Sequence, residues 1–112
     1  MASAWAIVDA SILEGLEACR EHLATLGGHT AAADPTVRES HLEAFTDAFT
    51  DAVFTHVATR IGGRPGREVV DSLEDARLLD ETTFEDHHVA TASIRRLTRQ
   101  RIRNRAEGNQ AR

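Results

Sequence analysis

The residues best placed to do chemistry are the run Glu85, Asp86, His87 and His88, in which Glu85 and His88 have Glu-x-x-His spacing. One helical turn apart, such a pair turns a carboxylate and an imidazole toward the same metal ion, as in di-iron bundles. That centre takes two such motifs and two further glutamates, all facing inward, whereas the chain contains one motif. On a helical wheel, moreover, Glu85 and His88 share an arc with Arg95 and Arg99, the polar side of their helix. A solvated helix start is therefore expected, with no metal and no other cofactor. A metal-binding helical bundle stays as an alternative in which a second copy supplies the missing motif.

The remaining candidates are weaker. His41, His56 and His87 fall on or beside apolar faces and read as hydrogen-bonded core or interface groups. Cys19 and His22 stand one turn apart, a spacing at which an imidazole can take a thiol proton. Cys19, however, lies in the middle of the most regular apolar stripe in the chain, where a thiol is buried and inert. As the single cysteine it also excludes an internal disulfide. The stretch "GGRPGR" lacks both the Gly-Lys-Ser/Thr ending and the preceding strand of a nucleotide-phosphate loop, so it reads as a turn. No Ser/His/Asp arrangement is present, and no enzyme is expected.

The charge pattern is sharper than any of these motifs. Residues 1–94 hold seventeen carboxylates against six arginines, whereas residues 95–112 hold seven arginines against Glu107 alone. An acidic body with a basic tail is expected, in a chain of formal net charge −5. The start "MASAWAIVDASIL" has no basic residue and is interrupted by Asp9, unlike a signal peptide. No stretch approaches the roughly 18 apolar residues of a membrane span. Cytoplasm, or the interior of a particle assembled there, is the expected location, with no membrane contact.

The elements that must position these groups are helical. Trp5, Val8, Ile12, Leu16, Cys19, Leu23 and Leu26 recur at spacings of three and four, with Glu14, Glu17 and Glu21 opposite. Gly27 suits the position after that helix. "HTAAADP" is a linker, and Asp34 or Thr36 is a candidate cap for a second helix opened by Pro35. This helix runs to about Ile61, with Leu42, Phe45, Ala48, Phe49, Ala52 and Val53 on one side and a second stripe of Phe54, Val57 and Ile61. Two stripes generally need two neighbours, within the bundle or from another copy. "REVVDSLEDARLL" predicts a short helix with Val69, Leu73 and Ala76 inward, and Thr82 with Glu85 opens a last helix carrying Phe84, Ala90, Ile94 and Leu97. The fold class is all-α: a small bundle of three long or medium helices plus one short one.

Arg101 and Arg105 fall on the same side as Ala90, Ile94 and Leu97, while Arg95, Arg96, Arg99 and Arg103 face water. Burying an unpaired guanidinium costs several kcal/mol. The last helix is therefore expected to leave the bundle near residue 98, giving a body over 1–98 and a projecting, finally frayed arm over 99–112. Short helix, turn and last helix imitate a helix-turn-helix, yet the groove-facing residues would be Glu81, Glu85 and Asp86, which repel phosphates.

The expected function is a non-enzymatic assembly or adaptor protein in a multi-subunit particle, for example the neck between a virion's head and tail. Its partners are other protein subunits, copies of itself included, with Phe54, Val57 and Ile61 as the oligomer interface. Arg95, Arg96, Arg99, Arg101, Arg103 and Arg105 are the partner contacts. The alternative is binding of nucleic acid without sequence preference through the same arginines.

Overall fold

A computed structural model describes residues 4–21, 35–81 and 88–110, and every regular element among them is helical. In chain order these are α1 (Ala4–Ala18), α2 (Pro35–Ile61), α3 (Arg67–Glu74), α4 (Arg77–Glu81) and α5 (His88–Gln110). The candidate cap residue Asp34, the Thr82–Glu85 capping box, and Leu23, Leu26 and Phe84 lie outside the described residues, and of Thr36, the second residue of α2, only the backbone is described. No described helix is long and apolar enough to cross a membrane.

The 27-residue α2 is the central element. It packs against α1 and against α5, and α3 in turn packs against the same two helices. Pro35 opens α2 at a position where a missing N–H costs nothing. At its other end Gly62 adopts φ 75°, and the N–H groups of Gly62 and Gly63 both donate to the Ala58 carbonyl, at 2.8 and 3.0 Å. A left-handed residue closes a helix in this way, which is why glycine stands there.

Both apolar stripes of α2 are used inside the chain. Phe45, Phe49, Val53, Phe54 and Val57 are buried in one cluster with Val8, Ile12, Leu73, Leu79, Ile94 and Ile102, and half-buried Ile61 packs against it. The expected oligomer interface of Phe54, Val57 and Ile61 is thus corrected: the chain's own helices cover these side chains, and Val57 has no exposed surface left to offer. Buried hydroxyls on α2 are satisfied locally, Thr46 Oγ1 donating to Leu42 O at 2.9 Å and Thr50 Oγ1 to Thr46 O at 2.7 Å.

On α1 the buried line runs through Val8, Ser11, Ile12 and Gly15 and continues to Cys19 just beyond the helix. Gly15 sets the spacing: a Cβ there would lie 2.9 Å from Val53 Cγ2 and 3.2 Å from Phe49 Cε1. The absent side chain lets α1 press onto α2. Trp5, expected in the buried stripe, is instead 46% exposed, and Leu13 is 57% exposed. The small residues, not the large indole, occupy the closest approach.

The segment read as one short helix is two. The chain breaks at Asp75 and Ala76, whose N–H groups donate to Asp71 O and Leu73 O at 3.1 and 3.3 Å. The break keeps Leu73, Ala76 and Leu79 all buried.

The largest correction concerns α5. Thr91, Ile94, Thr98, Ile102 and Ala106 form a buried line at spacings of three and four, so the helix stays docked well past residue 98. No projecting arm begins there. At four-residue steps the buried line drifts around the helix, away from the arc set by Ile94 and Leu97. Arg101 and Arg105 end up flanking that line rather than within it.

Candidate functional site

The docked face of α5 brings its arginines onto the chain's own carboxylates and carbonyls. Arg101 Nε lies 3.0 Å from Asp47 Oδ1 and 3.1 Å from Thr46 Oγ1, and its Nη2 donates to Glu43 O at 3.4 Å. One turn on, Arg105 pairs with Asp51, and its guanidinium carbon sits 4.9 Å from the centroid of the Phe54 ring. Asp47 and Asp51 are thus matched in order by Arg101 and Arg105, which requires α2 and α5 to run parallel. The aliphatic stems cover core while the charged heads reach the surface, and so neither guanidinium is buried unpaired.

Arg95 and Arg99, expected to face water, close the short helices instead. Arg99 Nε and Nη2 donate to the carbonyls of Glu74 and Ala76 at 3.2 and 2.9 Å, and its Nη1 meets Asp80 Oδ1 at 2.7 Å. Arg95 Nε donates to Leu79 O at 2.7 Å. The Glu74 and Leu79 carbonyls are of the kind a helix C-terminus leaves without partners, and that of Ala76 lies in the break between the two helices. The hydrogen bond from Arg99 holds the Asp80 carboxyl below its ordinary range. Of the six arginines expected to touch a partner, four act within the protomer. Arg96 and Arg103 remain exposed, with no ion pair or hydrogen bond to another described residue.

A second ionic cluster joins α1 to α2. Glu14 pairs with Arg60 through both carboxylate oxygens, and His56 Nδ1 lies 2.7 Å from Glu14 Oε2. The Arg60 hydrogen bond lowers the Glu14 pKa first, and the charges of Arg60 and His56 lower it further. His56 therefore has the partner expected of an interface histidine. His41 Nδ1 is buried without one among the described residues.

Cys19 is buried, and desolvation, helped by Asp51, pushes its thiol up. His22 lies outside the described residues, as do Glu85 and His87, and of His88 only the backbone is described. Among the described residues no three His, Cys, Asp or Glu side chains converge to hold a metal ion.

Two surface features escaped the sequence reading. Trp5, Asp9, Arg77 and Leu78 line a depression of about 500 Å³ between α1 and α4, with exposed Leu13 on the next turns of α1. Arg64, Arg67 and Arg103 line a groove of about 420 Å³ between the start of α3 and the end of α5. The signal for the first was present: Leu13 lies off the apolar stripe of α1. The second joins residues distant in sequence, and only the docking of α5 brings them together. In comparisons with protein families, with curated proteins and with solved structures, nothing matches this chain.

Proposed function

We propose that the protein is a non-enzymatic assembly or adaptor subunit that associates with a second copy of itself through the exposed flank of α1. One observation carries this reading: Trp5, the sole tryptophan, is 46% exposed and lines a surface depression together with Leu78. An aromatic anchor beside a recess is the usual centre of a protein interface. Asp9 and Arg77 line the same depression, and neither is paired with another described residue. Under two-fold symmetry each copy's Asp9 meets the other's Arg77, so the patch is complementary to itself. A place in the cytoplasm, within a larger particle such as a virion neck, fits a small helical subunit of this kind. Nucleic-acid binding by an arginine arm is less favoured, because four of its six cations are engaged within the protomer.

Sedimentation velocity across a concentration series tests the reading, with Trp5 fluorescence as a reporter of the patch. Mass should rise toward a dimer as emission shifts to the blue. Trp5→Ala and Asp9→Arg should each keep the protein monomeric, and Asp9→Arg with Arg77→Asp should restore the dimer. A wild-type protein that stays monomeric with solvent-like emission at every concentration refutes it.

A further inference from the structure

We propose that the groove between α3 and α5 binds a small molecule carrying one phosphate group, with hydroxyl or amine donors on the remainder. Arg64 comes from the turn after α2, Arg67 from the first residue of α3, and Arg103 from near the end of α5. All three are exposed, and none has an ion pair or hydrogen bond to another described residue. Arg60, Arg95, Arg99, Arg101 and Arg105, by contrast, each take a partner within the chain. Three guanidinium groups that folding leaves without a described partner thus line one groove, beside the carboxylates of Asp71, Glu74 and Glu107, so the lining offers unused donors and acceptors together rather than a net charge. A phosphate has three peripheral oxygens and accepts forked hydrogen bonds from several guanidiniums at once.

The rest of the lining narrows the ligand. Carboxylates are within reach of these arginines: Asp71 stands four residues after Arg67, and Glu107 four after Arg103, the spacing of helical ion pairs. Neither pair lies within ion-pair distance, and both carboxylates, with Glu74, line the same groove. Carboxylates repel a second phosphate, which disfavours a polynucleotide strand, and they accept hydrogen bonds from hydroxyl or ammonium groups. A volume of about 420 Å³ suits a phosphate on a body of a few carbons. A phosphorylated sugar or polyol has this chemistry. The assignment is independent of the proposed dimer, whose patch shares no residue with the groove.

The test titrates the intact chain with glucose 6-phosphate, inorganic phosphate, glucose and an oligothymidylate. Calorimetry gives affinities, and the arginine Nε–Hε resonances locate the site. Glucose 6-phosphate should bind saturably and more tightly than inorganic phosphate, and glucose not at all. Arg103→Gln and Arg67→Gln should each weaken glucose 6-phosphate roughly tenfold, the effect of removing one charge-assisted contact. Asp71→Asn should reduce its advantage over inorganic phosphate. Should Arg103→Gln fail to fold, Arg64→Gln, in the turn, carries the same expectation. Absence of saturable binding, affinities unchanged in the arginine variants, or tighter binding of the oligothymidylate overturns the proposal.

Discussion

Replacing Gly15 with alanine turns the close approach of α1 and α2 into a measurable sign. In an isolated helix interior the change is favourable, by about 1 kcal/mol, because alanine loses less backbone freedom than glycine. Here the added Cβ lands 2.9 Å from Val53 Cγ2 and 3.2–3.3 Å from two carbons of the Phe49 ring. Neither neighbour can yield easily. Val53 is β-branched and 2% exposed, and Phe49 is fully buried and stacked on Phe45 with centroids 5.6 Å apart. Overpacking of this kind costs about 1–3 kcal/mol. The net expectation is a loss of about 1 kcal/mol, or roughly 4 °C in Tm for a domain of this size. Urea unfolding followed by circular dichroism measures it. Adding Val53→Ala removes the offending methyl, so the double variant should lose about 1 kcal/mol less than the two single losses together. A Gly15→Ala protein more stable than wild type, or strict additivity with Val53→Ala, would refute the reasoning.

Three further outcomes follow from the charged contacts and the core. Arg101→Glu should destabilise by about 2 kcal/mol, since it removes charge-assisted hydrogen bonds and sets like charges together. Adding Asp47→Arg should recover part of that loss, whereas Arg96→Glu on the exposed side should stay within about 0.5 kcal/mol. Acid should weaken the fold through Glu14 and Asp80, whose carboxyls are held low by Arg60 and Arg99. A depressed native pKa means the unfolded chain binds more protons, so this contribution is complete above the unfolded values of 4.5 and 3.8. It disappears as pH falls through the native ones. Glu14→Gln should flatten that acid limb of stability against pH, and an unchanged limb would count against the Glu14–Arg60 contact. Cys19 should react with a thiol reagent on the order of a hundredfold more slowly in the native protein than in urea, and equal rates would contradict its burial.

The helical class and the span of α2 were legible because apolar spacing and the punctuation at Pro35 and Gly62 act locally. The fate of the arginines was not. The buried line of α5 passes through Thr98 and Ala106, which a pattern of large apolar residues does not register, so the core seemed to end with Leu97. Carboxylates at 47 and 51 and arginines at 101 and 105 share a four-residue step that the sequence displays. Their pairing depends on α2 and α5 running parallel, which the intervening α3 and α4 decide. The carboxylates that Arg101 and Arg105 meet thus lie in the same chain. Trp5 and Gly15 were misjudged together, because residue size predicts burial only where helices pack at an ordinary distance.

The way α3 and α4 end has a bearing on folding. Helices of eight and five residues are too short to persist alone, and Arg95 and Arg99 tie their ends to α5. Until α5 has docked, the middle of the polypeptide has no stable conformation to adopt. The flank of α2 that α5 covers, Phe54 included, is meanwhile open to solvent and to other chains. A chain ending at Ile94 should show little amide protection over residues 67–81, and the native fold should form only once α5 is present rather than piece by piece.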